Sequence, residues 1–149
     1  MESHMKQITS FYLEDCLLGL DSAYIQAIQP ATALIKMPQK EEQLLLGMMK
    51  LTDGSFVHVI NSLKLLGLSS SAGESKTIVF RAGNLQVGLI VDAPVSVLTI
   101  DEKSVAAVLP LSKIKKECFS GTVTDESGNV ILLLNMEKLL SNLTVPSSF

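Results

Sequence analysis

Short apolar runs separated by small polar groups recur along the whole chain, and most are too short to be helices. "ITSFYL" (8–13) and "CLLGL" (16–20) flank Glu14-Asp15, a spacing that predicts a tight hairpin. "DSAYIQAI" (21–28) opens on a capping Asp-Ser pair, Ala23, Ile25 and Ile28 do not settle its period, and Pro30 ends it. "TALIKM" (32–37) alternates like a strand, and "QKEEQ" (39–43) reads as a solvated turn. "LLLGMMKL" (44–51) and "FVHVI" (56–60) flank Asp53-Gly54, a strong hairpin signal because glycine accepts positive φ. "NSLKLLGL" (61–68) predicts one helical turn with Gly67 as its C-cap.

The polar segment "SSSAGES" (69–75) is the one plain linker. "KTIVFRA" (76–82) and "LQVGLIV" (85–91) predict a second hairpin around Gly83-Asn84. The run "VGLIVDAPVSVLTI" (87–100) carries a single carboxylate, Asp92, in otherwise almost solid apolar sequence. A lone carboxylate is expensive to bury, so Val87–Val91 is expected to surface at Asp92, turn through Ala93-Pro94 and run back into cover. "DEKSVAAVLP" (101–110) has an acidic first turn and predicts a short helix. "GTVTDESGNVILLLN" (121–135) reads as strand, turn, strand. "NMEKLLSNL" (135–143) puts Met136, Leu139, Leu140 and Leu143 on one helical face. Eight or more short strands with frequent turns predict one or two small β-barrels.

Composition narrows function mainly by exclusion. At 149 residues, 47% apolar and 18% charged, the chain is globular and has enough length for one real core. A net charge of −3, a single arginine (Arg81) and 5% aromatics argue against a nucleic-acid surface. No apolar run approaches the roughly 20 residues of a bilayer span, so membrane insertion is not expected. "MESHMKQ" lacks the apolar stretch of a signal peptide, and "SHM" reads as a cloning remnant with Met5 as native start. Two cysteines fit a reducing cytoplasm better than a disulfide scaffold.

Candidate chemistry is sparse. His4 belongs to the expected remnant and His58 stands alone on an alternating strand, which predicts no metal centre. Cys16 reads as a small hydrophobe, while Cys118 follows Lys115-Lys116, a setting that lowers a thiol pKa but offers no histidine base. Gly47 and Gly88 interrupt strands, where glycine permits a bulge, a bend or close backbone approach. No phosphate-binding glycine loop is present, and no cofactor or small-molecule substrate is expected.

In order along the chain, four segments resemble the CheW-like family of bacterial chemotaxis adaptors. They are "FYLEDCLLGLD" (11–21) with "YIQAIQP" (24–30), "LGMMKLTDGSFVHVIN" (46–61), "VGLIVDAPVSVL" (87–98) and "SGTVTDESGNVILLLNMEKLLSNL" (120–143). The resemblance implies a mostly β fold of two five-stranded barrel subdomains packed together, with a short C-terminal helix. It spans a single domain over residues 8–143, between a tag or disordered segment (1–7) and a loose tail (144–149). It further implies a non-enzymatic, cytoplasmic adaptor, recruited to membrane receptor arrays, that joins a chemoreceptor signalling tip to the regulatory domain of a CheA-type histidine kinase. Partner-contact candidates by this resemblance are Ile25, Gln26, Ala27, Asp53, Gly54, Val95, Val97 and Leu98. Gly47, Gly88 and Asp92 would be structural, Asp92 by capping a turn where a strand leaves the core. Two charges depart from the family pattern: Asp53, or Thr52 one residue earlier, stands where arginine is usual, and Ala27 where glutamate is frequent. The alternatives are a divergent scaffold for another two-component or polar-localisation complex, a small β-barrel enzyme using Cys118, and an oligonucleotide-binding barrel.

Overall fold

The computed structural model describes residues 5–31, 34–36, 45–68, 75–82, 85–107 and 118–143. Strands β1 (Met5–Leu13) and β2 (Cys16–Asp21) form the first hairpin. Glu14 and Asp15 both take positive φ, 48° and 67°, so the turn follows the right-handed twist of its strands. Met5, Lys6 and Gln7, set aside by sequence with the N-terminal segment, belong to β1 and pair with Asp101, Ile100 and Thr99. Asp21 then caps a 3₁₀ turn, Ser22–Tyr24, by accepting the Ala23 N–H at 3.0 Å. β3 (Ile25–Pro30) follows, and the undecided segment is therefore a 3₁₀ turn feeding a strand.

β4 (Leu34–Lys36), β5 (Leu45–Lys50) and β6 (Phe56–Ile60) form a meander, with Gly54 at φ 91° in the β5–β6 turn. Helix α1 (Ser62–Leu66) has Gly67 at its C-cap as expected, left-handed at φ 86°, and at its N-terminus Asn61 Oδ1 accepts from Lys64 N. β7 (Ser75–Ala82) runs antiparallel to β8 (Leu85–Asp101). The expected helix over 101–110 is only a 3₁₀ turn, Glu102–Ser104, within the described residues. β9 (Phe119–Thr124), β10 (Val130–Leu134) and helix α2 (Met136–Leu143) complete the chain. The segments 39–43, 69–74, 83–84 and 144–149 lie outside the described residues.

The main departure from expectation is β8. It does not turn at Ala93-Pro94. It continues unbroken for 17 residues, and Asp92 is buried at 7% exposure rather than surfacing. The reason is a change of partner. Leu85–Asp92 pairs with β7, with parallel contacts to β6 at Val87 and Gly88 on the other edge. From Asp92 to Asp101 the neighbour is β1. The β1 register slips between Ser10 (opposite Ser96) and Tyr12 (opposite Asp92), so Ala93-Pro94-Val95 bulges out of the ladder. Proline's missing N–H thus costs no ladder bond, and the Ala93-Pro94 peptide is cis.

β8 thereby belongs to two barrel-like subdomains. The first contains β1, β2, β10, β9 and the second half of β8; the second contains β3 to β7 and the first half of β8. Together they form one ten-stranded sheet that does not close among the described residues. The first subdomain comes nearest to closing, where Ala106 exchanges two 2.8 Å backbone hydrogen bonds with Thr122 on β9.

Alternating side chains divide the core into three. The largest cluster lies between the subdomains, including Phe11, Leu18, Leu20, Phe80, Leu89, Leu132 and, from α2, Met136 and Leu139. Inside the first subdomain are Ile8, Ile100, Val123, Ile131 and Leu133. Inside the second are Met49, Leu51, Val57, Val59 and Val79. The continuous apolar runs of β8 and β10 follow directly, since both faces of these strands meet a core.

Candidate partner-binding surface

The β5–β6 turn projects Asp53 and Gly54 into solvent. Asp53 is fully exposed, and its Oδ1 accepts from the Ser55 hydroxyl at 2.6 Å and the Ser55 N–H at 2.9 Å. These bonds, the hydroxyl first, hold the carboxyl below its ordinary range. Gly54 donates its N–H to Leu51 O, and a Cβ there would meet nothing within 4 Å; only its positive φ of 91° disfavours a side chain.

A second candidate segment lies beside this turn. Thr52 N donates to Gln29 Oε1 at 2.9 Å, tying the turn to β3. On β3 the exposure alternates, so Ile25, Gln26 and Ala27 do not share one surface. Gln26 is exposed at a bulge, Ile25 packs against the core between the subdomains, and Ala27 packs against the interior of the second. Ala27 therefore takes the inner side of the strand, and Gln26 holds the outer one.

Val95, Val97 and Leu98 separate in the same way. Val97 stands out at 58% exposure, Val95 packs on the core between the subdomains, and Leu98 packs inside the first subdomain. The two flank positions, Ile25 and Val95, border one shared core cluster. Asp92 sits where β8 meets both neighbours, opposite Ser75 and Tyr12, and not at a turn. Gly47 is buried beside a register slip between Leu45 and Gly47 that leaves Leu46 as the extra residue. A Cβ at Gly88 would come within 3.0 Å of Thr77 Cγ2 and 3.2 Å of Val57 Cγ2.

Residue-by-residue reading of the sequence missed several exposed apolar side chains. Ile28 follows Gln26 on the outer side of β3, Phe56 stands opposite Lys50 beside the β5–β6 turn, and Leu63 projects from α1. Period-two alternation along β3 would have picked Ile28, because Gln26, Ile28 and Pro30 share the exposed phase. With Gln26 and the Asp53 turn, these residues give the second subdomain an exposed, partly apolar surface.

Among the described residues the cysteines are Cys16 and Cys118 and the histidine is His58. Cys118 is 1% exposed and donates its Sγ–H to Leu65 O at 3.2 Å. Cys16 is half-buried, and neither cysteine is in a disulfide. His58 is half-buried on β6 opposite Met48 and Val87, with its Nδ1 buried and without a hydrogen-bond partner. Among the described residues no group of three or more His, Cys, Asp or Glu is placed to hold a metal. No helix among them is long and apolar enough to cross a membrane.

The family model of the CheW-like domain matches residues 7–144. The chain belongs to the CheW-like family. Among solved structures, this CheW-like chain is similar to the scaffolding protein TtCheW from Thermoanaerobacter tengcongensis. The two are 26% identical with a TM-score of 0.76, over 93% of this chain and 89% of that one. A comparison with curated proteins gave no match. The CheW-like assignment accounts for the paired barrel-like subdomains, the strand shared between them and the C-terminal helix.

Proposed function

We propose that this chain is a non-enzymatic adaptor that couples chemoreceptors to a CheA-type histidine kinase. The observation that carries the reading is the extent of the family match, which takes in both subdomains, the shared strand β8 and helix α2. An adaptor of this kind works by assembly. Covering about 800 Å² on each partner holds the kinase beside the receptor without any covalent step. The surface of Gln26, Ile28, Phe56 and the Asp53 turn supplies exposed apolar area with polar positions around it. The core position of Cys118 disfavours the enzyme alternative, since a nucleophile must meet its substrate. The cytoplasmic face of a receptor array is the setting this reading requires.

Asp53 is the position at which coupling is tested. By the family resemblance a partner surface would be complementary to arginine at this place, and aspartate leaves it unpaired. Leaving one charge of a buried interfacial pair without its partner costs about 2–5 kcal/mol, or roughly 30-fold and upward in affinity. Calorimetry of the wild type and Asp53→Arg against a CheA-type regulatory domain and a receptor tip, at two salt concentrations, measures this. The expected result is weak wild-type binding that Asp53→Arg strengthens, more so at low salt. Tight wild-type binding to both, unchanged by the substitution, places Asp53 outside the interface. No binding to either by both proteins rejects the coupling role in favour of a scaffold for a different complex.

A further inference from the structure

The interior of the first subdomain is close-packed where Ile8, Ile131 and Leu133 surround Gly19 but open beside Leu17 and Leu98. A cleft of about 610 Å³ opens between β8 and the β9–β10 turn and reaches the inward faces of β1 and β2. Its floor is apolar, formed by Leu17, Leu98, Ile100, Val123 and Ile131. Leu17 and Leu98 pack against the interior cluster but are only half-buried, because one side of each borders the cleft. Side chains normally fill a barrel this small, and an opening of this size lies in the range of small-molecule pockets.

The rim is one-sided in charge. Asp101, Asp125 and Glu126 line it together with serine and threonine hydroxyls, and none of the described lining residues is Lys, Arg or His. Two of these carboxylates are fixed in place. Asp101 Oδ1 accepts from Lys103 N at 2.9 Å. Asp125 accepts from Ser127 N and Asn129 N, both at 2.9 Å, and from Asn129 Nδ2. These bonds, the Asn129 N–H first, hold the Asp125 carboxyl below its ordinary range, so it is ionised at neutral pH.

An apolar floor rewards an apolar body at about 25 cal/mol for each Å² removed from water. An acidic rim at the entrance favours a cation and repels an anion. We propose that this cleft binds a small cationic amphiphile, with its apolar body on Leu98 and Ile131 and a protonated amine at the Asp101, Asp125 and Glu126 rim. The site is separate from the partner surface on the second subdomain and does not depend on the coupling role.

Three probes that share one alkyl chain test the proposal with the full chain: n-octylammonium, n-octanol and n-octanoate, each below the concentration at which it self-associates. Affinity is taken from saturation of amide chemical shifts. The expected result is saturable octylammonium binding, with the largest shifts at Leu98, Ile100, Val123 and Ile131. Exposed charge contacts of this kind should favour octylammonium over octanol by up to about fivefold, with octanoate weakest. Asp101→Asn with Glu126→Gln keeps the shape of the rim and should reduce that preference towards unity. Leu98→Trp fills the floor and should abolish binding; if it fails to fold, the wild-type shift map decides alone. Equal affinity for all three probes, octanoate binding as tightly as octylammonium, or shifts centred elsewhere overturns the proposal.

Discussion

The two subdomains share a strand and a general plan but differ in how their interiors are filled. The second packs Met49, Val57, Val59 and Val79 so closely that a single added Cβ at Gly88 would press on Thr77 and Val57. Even its buried threonine is accommodated, the Thr77 hydroxyl donating to Met49 Sδ at 3.2 Å. The first keeps five buried apolar residues inside and opens a cleft beside them. The common layer between the subdomains is much larger than either interior and binds them into one unit. The first is just as close-packed at one end, where a Cβ added at Gly19 would come within 2.9 Å of Ile131 and 3.1 Å of Ile8, so the difference in tolerance lies at the cleft: volume added there meets space, and volume added at Gly88 meets atoms.

Deleting a side chain should separate the two most clearly. Met49→Ala leaves a void in a filled interior and is expected to cost about 2–5 kcal/mol. Leu98→Ala enlarges an existing opening, so its cost should fall to about 1 kcal/mol, near the transfer term alone. Urea unfolding of both variants, with midpoints compared at equal slope, measures the difference. Equal costs would mean that the cleft wall is as tightly supported as the packed barrel.

The converse experiment adds volume. Gly88→Val should overpack the second subdomain and cost about 1–3 kcal/mol. Ser96→Val, on the exposed side of the first subdomain's cleft, should stay within about 0.5 kcal/mol of wild type. A melting temperature unchanged by Gly88→Val would show that Thr77 and Val57 give way freely, and the contrast between the interiors would disappear.

Much of the fold can be read from local chemistry. The Glu14-Asp15 and Asp53-Gly54 hairpins, the Asn61 and Gly67 caps and the α2 face are each encoded within a few residues. The course of β8 is not, because Asp92-Ala93-Pro94 has the local signature of a turn. Only the arrival of β1 as a second neighbour, some 80 positions away in sequence, turns it into a bulge within a continuous strand. The contact candidates show a different limit. Resemblance selected consecutive residues, whereas a strand sends neighbours to opposite faces, and so Ala27 and Leu98 face interiors while Gln26 and Val97 face solvent. The cleft has no sequence signal at all. Its floor residues alternate just as a filled barrel's would, and the opening depends on how far apart β8 and the β9–β10 turn come to rest.

The smallest expected effect compares one carboxylate from each subdomain. Asp53 at the β5–β6 turn and Asp125 at the β9–β10 turn are both held below the ordinary value of 3.8. Each folded pKa lies below its unfolded one, so each stabilising contribution is complete above the unfolded value. It is lost as pH falls through the folded value. The causes differ in a way that substitution can expose. For Asp53 the leading cause is the Ser55 hydroxyl, which Ser55→Ala removes. For Asp125 it is the backbone N–H of Asn129, which survives Asn129→Ala, and only the weaker amide bond is lost. Carboxyl-carbon NMR titration should therefore find the Asp53 midpoint moving up towards 3.8 in Ser55→Ala, with a smaller rise for Asp125 in Asn129→Ala. Asp53 is exposed and Asp125 half-buried, and thermal stability should change only on the acid limb, where these groups titrate. An Asp125 midpoint that rises as far as that of Asp53 would show its side-chain bond to Asn129 to be the dominant one, and would make the two turns equivalent.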